Sequence, residues 1–118
     1  MRRLLNKGAA ATSRLSEVEV ASAVVRRWRE GDLTTAQRDR VLSALSEDVQ
    51  RMDVVEILPE VTRRTHGLLV RHWLRAGDAL QLSACLHLRE RSRASVAFVA
   101  FDERLARAAA AEGLTLAP

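Results

Sequence analysis

The chain has 118 residues, 47% of them hydrophobic and 29% charged, which is enough apolar material for one domain with a real core. Its formal net charge is +4, from 19 Lys+Arg against 15 Asp+Glu, and such a basic surface attracts nucleic acid or an acidic protein. No apolar run approaches the ~20 residues of a membrane span, and the basic start lacks a signal-peptide apolar stretch. Cys85 is the sole cysteine, which excludes an internal disulfide and fits a reducing cytoplasm. The aromatic side chains are Trp28, Trp73, Phe98 and Phe101, with no Tyr, a scarcity that disfavours a protein built on stacked bases.

Leu4 and Leu5 suggest the end of a helix stopped by Gly8. Residues 9–13 are small and apolar and read as a short buried strand. Ser16 with Glu19 three places on has the capping-box pattern, opening a helix with Val18, Ala21, Val25 and Trp28 at helical spacing. That helix ends near Gly31, with Arg26, Arg27 and Arg29 on a solvated end. Thr34 and Gln37 open a second helix whose apolar face is Val41, Leu42 and Leu45. Residues 53–58 are dense enough in Val, Ile and Leu for a buried strand, and Pro59 suits the first turn of a third helix. Val61, Thr65, Leu69 and Trp73, or a neighbouring stripe, would line its inner face. A break at Ala76-Gly77 precedes a fourth helix with Leu80, Leu82, Ala84 and Leu86. Residues 95–101 read as a strand, Asp102 as the cap of a helix over 103–112, Gly113 as its stop, and 114–116 as a last strand. Strands alternating with helices predict an α/β layer fold, a mostly parallel sheet flanked by helices, as a single domain over residues 1–118.

Three carboxylates are the candidates for chemistry: Glu19, Asp78 and Asp102. Glu19 has an alternative reading as the capping-box acid, and Asp102 as a plain N-cap. Asp78 opens an otherwise apolar helix, where a buried carboxylate needs a partner or a metal. Together they suit a hard cation such as Mg2+ or Mn2+, which prefers carboxylate oxygens. His66, His72 and His87 lack zinc spacing, and neither a Gly-rich phosphate loop nor a serine elbow occurs.

Three segments carry a resemblance. They are Ala11-Thr12-Ser13-Arg14-Leu15-Ser16-Glu17-Val18-Glu19, Leu74-Arg75-Ala76-Gly77-Asp78-Ala79-Leu80-Gln81-Leu82, and Phe98-Val99-Ala100-Phe101-Asp102-Glu103-Arg104-Leu105. In this order the chain resembles the PIN-domain family, and within it the VapC-like toxin ribonucleases of toxin–antitoxin pairs. The resemblance implies a PIN-like three-layer fold and a Mg2+- or Mn2+-dependent endoribonuclease, with Glu19, Asp78 and Asp102 as catalytic metal ligands. It also implies an RNA substrate, a cognate antitoxin protein and a possible homodimer. One departure stands out: the family pattern begins with a strand ending in a ligand Asp, and no counterpart of it is found here. The expectation is an N-terminally truncated domain lacking its first strand, with impaired nuclease activity. The alternative is a non-catalytic, degenerate PIN domain that binds an antitoxin or RNA.

Overall fold

The computed structural model describes residues 10–92, 96–100 and 102–117, so the helix end expected at Leu4 and Leu5 lies outside the described residues, as do Ser95 and Phe101 of the expected third strand. The elements run β1 (Ala11–Ser13), α1 (Arg14–Arg29), α2 (Thr35–Gln50), β2 (Asp53–Val55), α3 (Pro59–Arg71), α4 (Ala76–Arg91), β3 (Ala97–Phe98), α5 (Glu103–Ala111) and β4 (Thr115–Leu116). The α/β class expected from the alternation is the class observed, helix-rich and with short strands. Among the described residues every strand pair is parallel: β1 lies on β2 with Ala11 opposite Asp53, and β3 lies on β4 with Ala97 opposite Thr115. The strands pair two by two, and a cavity of about 280 Å3 separates the pairs, lined by β1, β3 and the Gln81, Ala84, Cys85 and Leu88 side of α4.

α4 is the central wall. Its Ala79, Leu82 and Leu86 pack with Leu68 of α3, Phe98 of β3 and Leu105, Ala108 and Ala109 of α5. Its Ala84 and Leu88 pack with Val55 of β2 and Val61 of α3. Small side chains let α3 and α4 approach closely. Ser83, fully buried, donates its hydroxyl to the Val61 carbonyl at 2.6 Å, and Thr65 donates to the same oxygen at 2.7 Å. Both hydroxyls are thereby satisfied in the interior, where an unpartnered one would be costly.

Local chemistry explains where three expected boundaries moved. Ser13, not Ser16, is the N-cap of α1: its backbone is extended and its hydroxyl accepts the Ser16 N–H at 3.3 Å. The helix therefore starts three residues sooner, and Glu19 falls in its second turn instead of in a capping box. α3 stops at Arg71, because His72 turns to an extended conformation; the buried stripe is Val61, Thr65 and Leu68, while Leu69 and Trp73 face solvent. β2 ends at Val55 because the chain turns at Ile57, where the Leu58 N–H returns to the Glu56 carbonyl at 3.0 Å, and Ile57 and Leu58 are exposed. The Thr34–Gln37 capping box forms as expected, with both reciprocal hydrogen bonds present. Gly31 and Gly113 close α1 and α5 at φ of 87° and 88°, a region that side chains with a Cβ avoid.

α1 and α2 form an antiparallel hairpin on the periphery. No residue of α1 is buried, and α2 buries only Val49. The expected inner face of α1 is thus largely open: Val18 is 59% exposed, and Ala21 and Val25 are half-buried. The turn of the hairpin is held by Trp28, whose indole N–H donates to the Thr35 hydroxyl at 3.3 Å and whose ring lies 4.3 Å from the Arg38 guanidinium.

Candidate functional site

The three candidate carboxylates all follow the carboxyl ends of strands or open a helix, the edge on which α/β folds gather their sites. β1 runs directly into α1, which carries Glu19. The segment after β3 leads to Asp102, the N-cap of α5. α4 begins at Ala76, which places Asp78 in its first turn. Both aspartates therefore sit where the partial positive charge of a helix N-terminus favours an anion.

Asp78 and Asp102 share a cavity of about 400 Å3, lined also by Trp73, Leu74, Arg75, Glu103, Arg104 and Arg107. The Asp102 carboxylate is partly engaged: Oδ1 accepts the Arg104 N–H at 2.7 Å and the Leu105 N–H at 3.2 Å. This fixes the rotamer and leaves Oδ2 for another partner. Asp78 is half-buried and makes no hydrogen bond or ion pair among the described residues.

Glu19 reaches the same end of α4 but a different face. Its Oε1 accepts from the Gln81 amide at 2.9 Å, and Gln81 in turn accepts from the Ser13 hydroxyl at 2.6 Å. Its Oε2 lies over Gly77, where an added Cβ would come within 3.1 Å. Gly77 and Gln81 are four apart and share one stripe of the helix, whereas Asp78 is rotated from that stripe by about 100°. The structure thus brings Asp78 and Asp102 into one cavity and holds Glu19 beside it on the Ser13–Gln81 chain. No three His, Cys, Asp or Glu among the described residues form a group able to hold a metal ion. The three-carboxylate ligand set expected from the sequence is therefore not assembled, while the aspartate pair has the oxygen chemistry a hard cation takes.

Sequence reasoning passed over several residues of this region. Ser13, expected only as the end of a strand, is the N-cap of α1, and Ser13-Arg14-Leu15-Ser16 offers a cap there as good as Ser16. Gln81 and Arg75 lay within a quoted segment without a role, and their signal is the i,i+4 spacing to Gly77 and the position before the helix start. Trp73, expected on the apolar stripe of α3, instead stands 88% exposed and lines the cavity.

The titrating groups with clear shifts lie away from this cavity. Hydrogen bonds from His72 and then Arg71 hold the Glu112 carboxyl below the usual range. Arg64 does the same for Glu90, tying α3 to α4, and Arg14 for Glu56. Burial pushes the Cys85 thiol up to about 11, so it is protonated near neutral pH and unsuited to nucleophilic work.

The family model for the PIN domain matches residues 1–111. The chain belongs to the PIN-domain family, a nuclease-type family whose members act on nucleic acid and generally depend on a divalent metal. No curated protein matches it. No helix among the described residues is long and apolar enough to cross a membrane.

Proposed function

We propose that the protein is a metal-dependent endoribonuclease, the toxin of a toxin–antitoxin pair acting in the cytoplasm. The observation that carries this reading is the pairing of Asp78 with Asp102 in one cavity of a PIN-domain chain. In this reading Asp78 and Asp102 would hold Mg2+ or Mn2+, with Glu19, which accepts from Gln81 on α4, as a third carboxylate beside them. The bound ion would supply charge to a phosphodiester under attack and lower the pKa of water. The chain's own contribution is positional. Two backbone N–H groups orient the Asp102 carboxylate, and the α4 dipole steadies Asp78 as an anion. Arg75, Arg104 and Arg107 offset the repulsion between this acidic centre and a phosphate backbone. The open apolar side of α1, with Val18 and Val25, supports a cognate antitoxin or a second copy as the protein partner.

The test is cleavage of a labelled single-stranded RNA with Mg2+ or Mn2+, with EDTA and Asp78→Asn as controls. Cleavage that needs the metal and is lost with Asp78→Asn is the expected result. A second reading, a binding module without catalysis, is favoured by one observation: Glu19 is engaged with Gln81 outside the shared cavity. RNA or antitoxin binding with no cleavage and no Mn2+ affinity would establish it instead.

A further inference from the structure

Trp73 is the most exposed large apolar side chain of the chain's described residues together with Val70, each at 88%. It stands in the link between α3 and α4, where Leu74 N–H returns to the His72 carbonyl at 3.0 Å in a tight turn. Trp73 borders two cavities at once. One holds Asp78 and Asp102; the other, of about 370 Å3, is lined by Arg71, His72, Arg104, Arg107 and Ala108. Leaving an indole in water forgoes a large burial gain, so an exposed one beside a candidate site points to a partner that covers it.

The charges around it select the partner. Arg75 and Arg104 have no carboxylate within ion-pair distance among the described residues. Arg107 has only a 3.8 Å contact with Glu103, both side chains being largely in water. Free guanidinium groups around an open aromatic face match a nucleotide chain, with phosphates for the arginines and a base for the ring. A duplex stacks both faces of its internal bases on their neighbours, so an unpaired base alone can lie on the indole. The scarcity of aromatic residues rules against a row of such platforms; a single one suffices to hold one base.

We propose that Trp73, Arg75, Arg104 and Arg107 form a docking platform for single-stranded RNA, on which one unpaired base stacks while its neighbouring phosphates meet the arginines beside the aspartate pair. The proposal deepens the nuclease reading by naming the side chains that receive one unpaired base and its phosphates, and it rests on that reading only for the RNA being cleaved.

The experiment uses the full chain in EDTA, so that binding is read without cleavage. Trp28→Phe leaves Trp73 as the one tryptophan, because the chain has two. Oligo(U) of about ten nucleotides, a length in the range of single-strand sites, is titrated against the indole emission and compared with an RNA duplex of equal length. Expected are quenching by the single strand and not by the duplex and, read by the anisotropy of a fluorescein-labelled oligo(U), a loss of about tenfold in affinity for Trp73→Ala, restored in large part by Trp73→Phe. Arg75→Gln and Arg104→Gln should each lower the slope of log affinity against log salt by about 0.7. Unchanged emission on binding, equal affinity of Trp73→Ala, or equal quenching by the duplex would overturn the platform. Quenching without any metal-dependent cleavage would leave the platform standing and remove the nuclease reading. Cleavage by the wild type, with Trp73→Ala binding unchanged, would do the reverse.

Discussion

Asp102 serves two physical purposes that substitution can separate. Its Oδ1 caps α5 through two backbone N–H groups, and the residue also lines the cavity shared with Asp78. Asparagine is as good a cap as aspartate, so Asp102→Asn should leave stability within about 0.5 kcal/mol. It removes a charge from the acidic centre, and RNA cleavage should fall about a hundredfold, the few kcal/mol that metal-assisted charge stabilisation provides. Asp102→Ala should lose the same activity and about 1 kcal/mol of stability besides. Urea unfolding and cleavage rates on both variants check this; equal activity of Asp102→Asn and wild type would remove Asp102 from the proposed metal site. Cys85 supplies a second prediction. With its thiol near 11 against an ordinary 9.0, the thiolate at neutral pH is about a hundredfold scarcer than in a free thiol. Iodoacetamide should label it slowly in the native protein and fast in urea, as mass spectrometry would show. At this scale Asp78 and Asp102 were legible in the sequence, because each stands at a helix start, whereas Glu19 lies in the second turn of α1. The Ser13–Gln81–Glu19 chain stayed hidden, because a hydrogen bond between residues 68 positions apart has no local signature.

At the scale of elements, the ends of α3 and α5 are fastened together by Glu112. It accepts from Arg71 at 3.1 Å and pairs with His72 at 2.8 Å. Its carboxyl is held below the ordinary 4.5, so its contribution to stability is complete above that value and is lost as pH falls through the lower, folded-state one. The melting temperature should therefore drop on acidification below about pH 4.5, with Glu90 and Glu56, lowered by their own arginines, adding to the fall. Glu112→Gln should cost about 1 kcal/mol at neutral pH and flatten part of that acid limb. An unchanged acid limb would show that the tie contributes nothing. Nearby, Gly113 has φ of 88°, and Gly113→Ala should destabilise by about 1 kcal/mol in a thermal melt. Boundaries marked by such chemistry were readable in advance: Thr34 with Gln37, Pro59, Asp102 and Gly113. Boundaries with two equal candidates were not, as at Ser13 and Ser16. The stripe of α3 shifted from Leu69 to Leu68 because a turn of 3.6 residues lets either complete the face, and only packing against α4 decides.

Over the whole molecule, burial is uneven. α4 contributes to both apolar clusters, whereas α1 buries no residue and α2 only one. Amide hydrogen exchange should follow this, with α1 and α2 losing protection well before α4 and α3. Uniform protection across all four helices would mean that the hairpin opens only with the whole fold. The class of the fold was legible because strands and helices alternate along the chain. The pairing of the strands into two separate couples was not, since pairing depends on which edges meet across α4. Those two couples also differ in how much chain each must fold back. Joining Ala97 to Thr115 closes a loop less than half as long as joining Ala11 to Asp53. A doubling of loop length costs about 0.6 kcal/mol in closure entropy, and non-local closure slows folding. The strand–helix–strand unit ending at β4 is therefore positioned to form first and to present Phe98 and Leu105 to α4. β1 has the longer loop to close, so Glu19, which follows it, is positioned to reach Gln81 of α4 after that unit has formed.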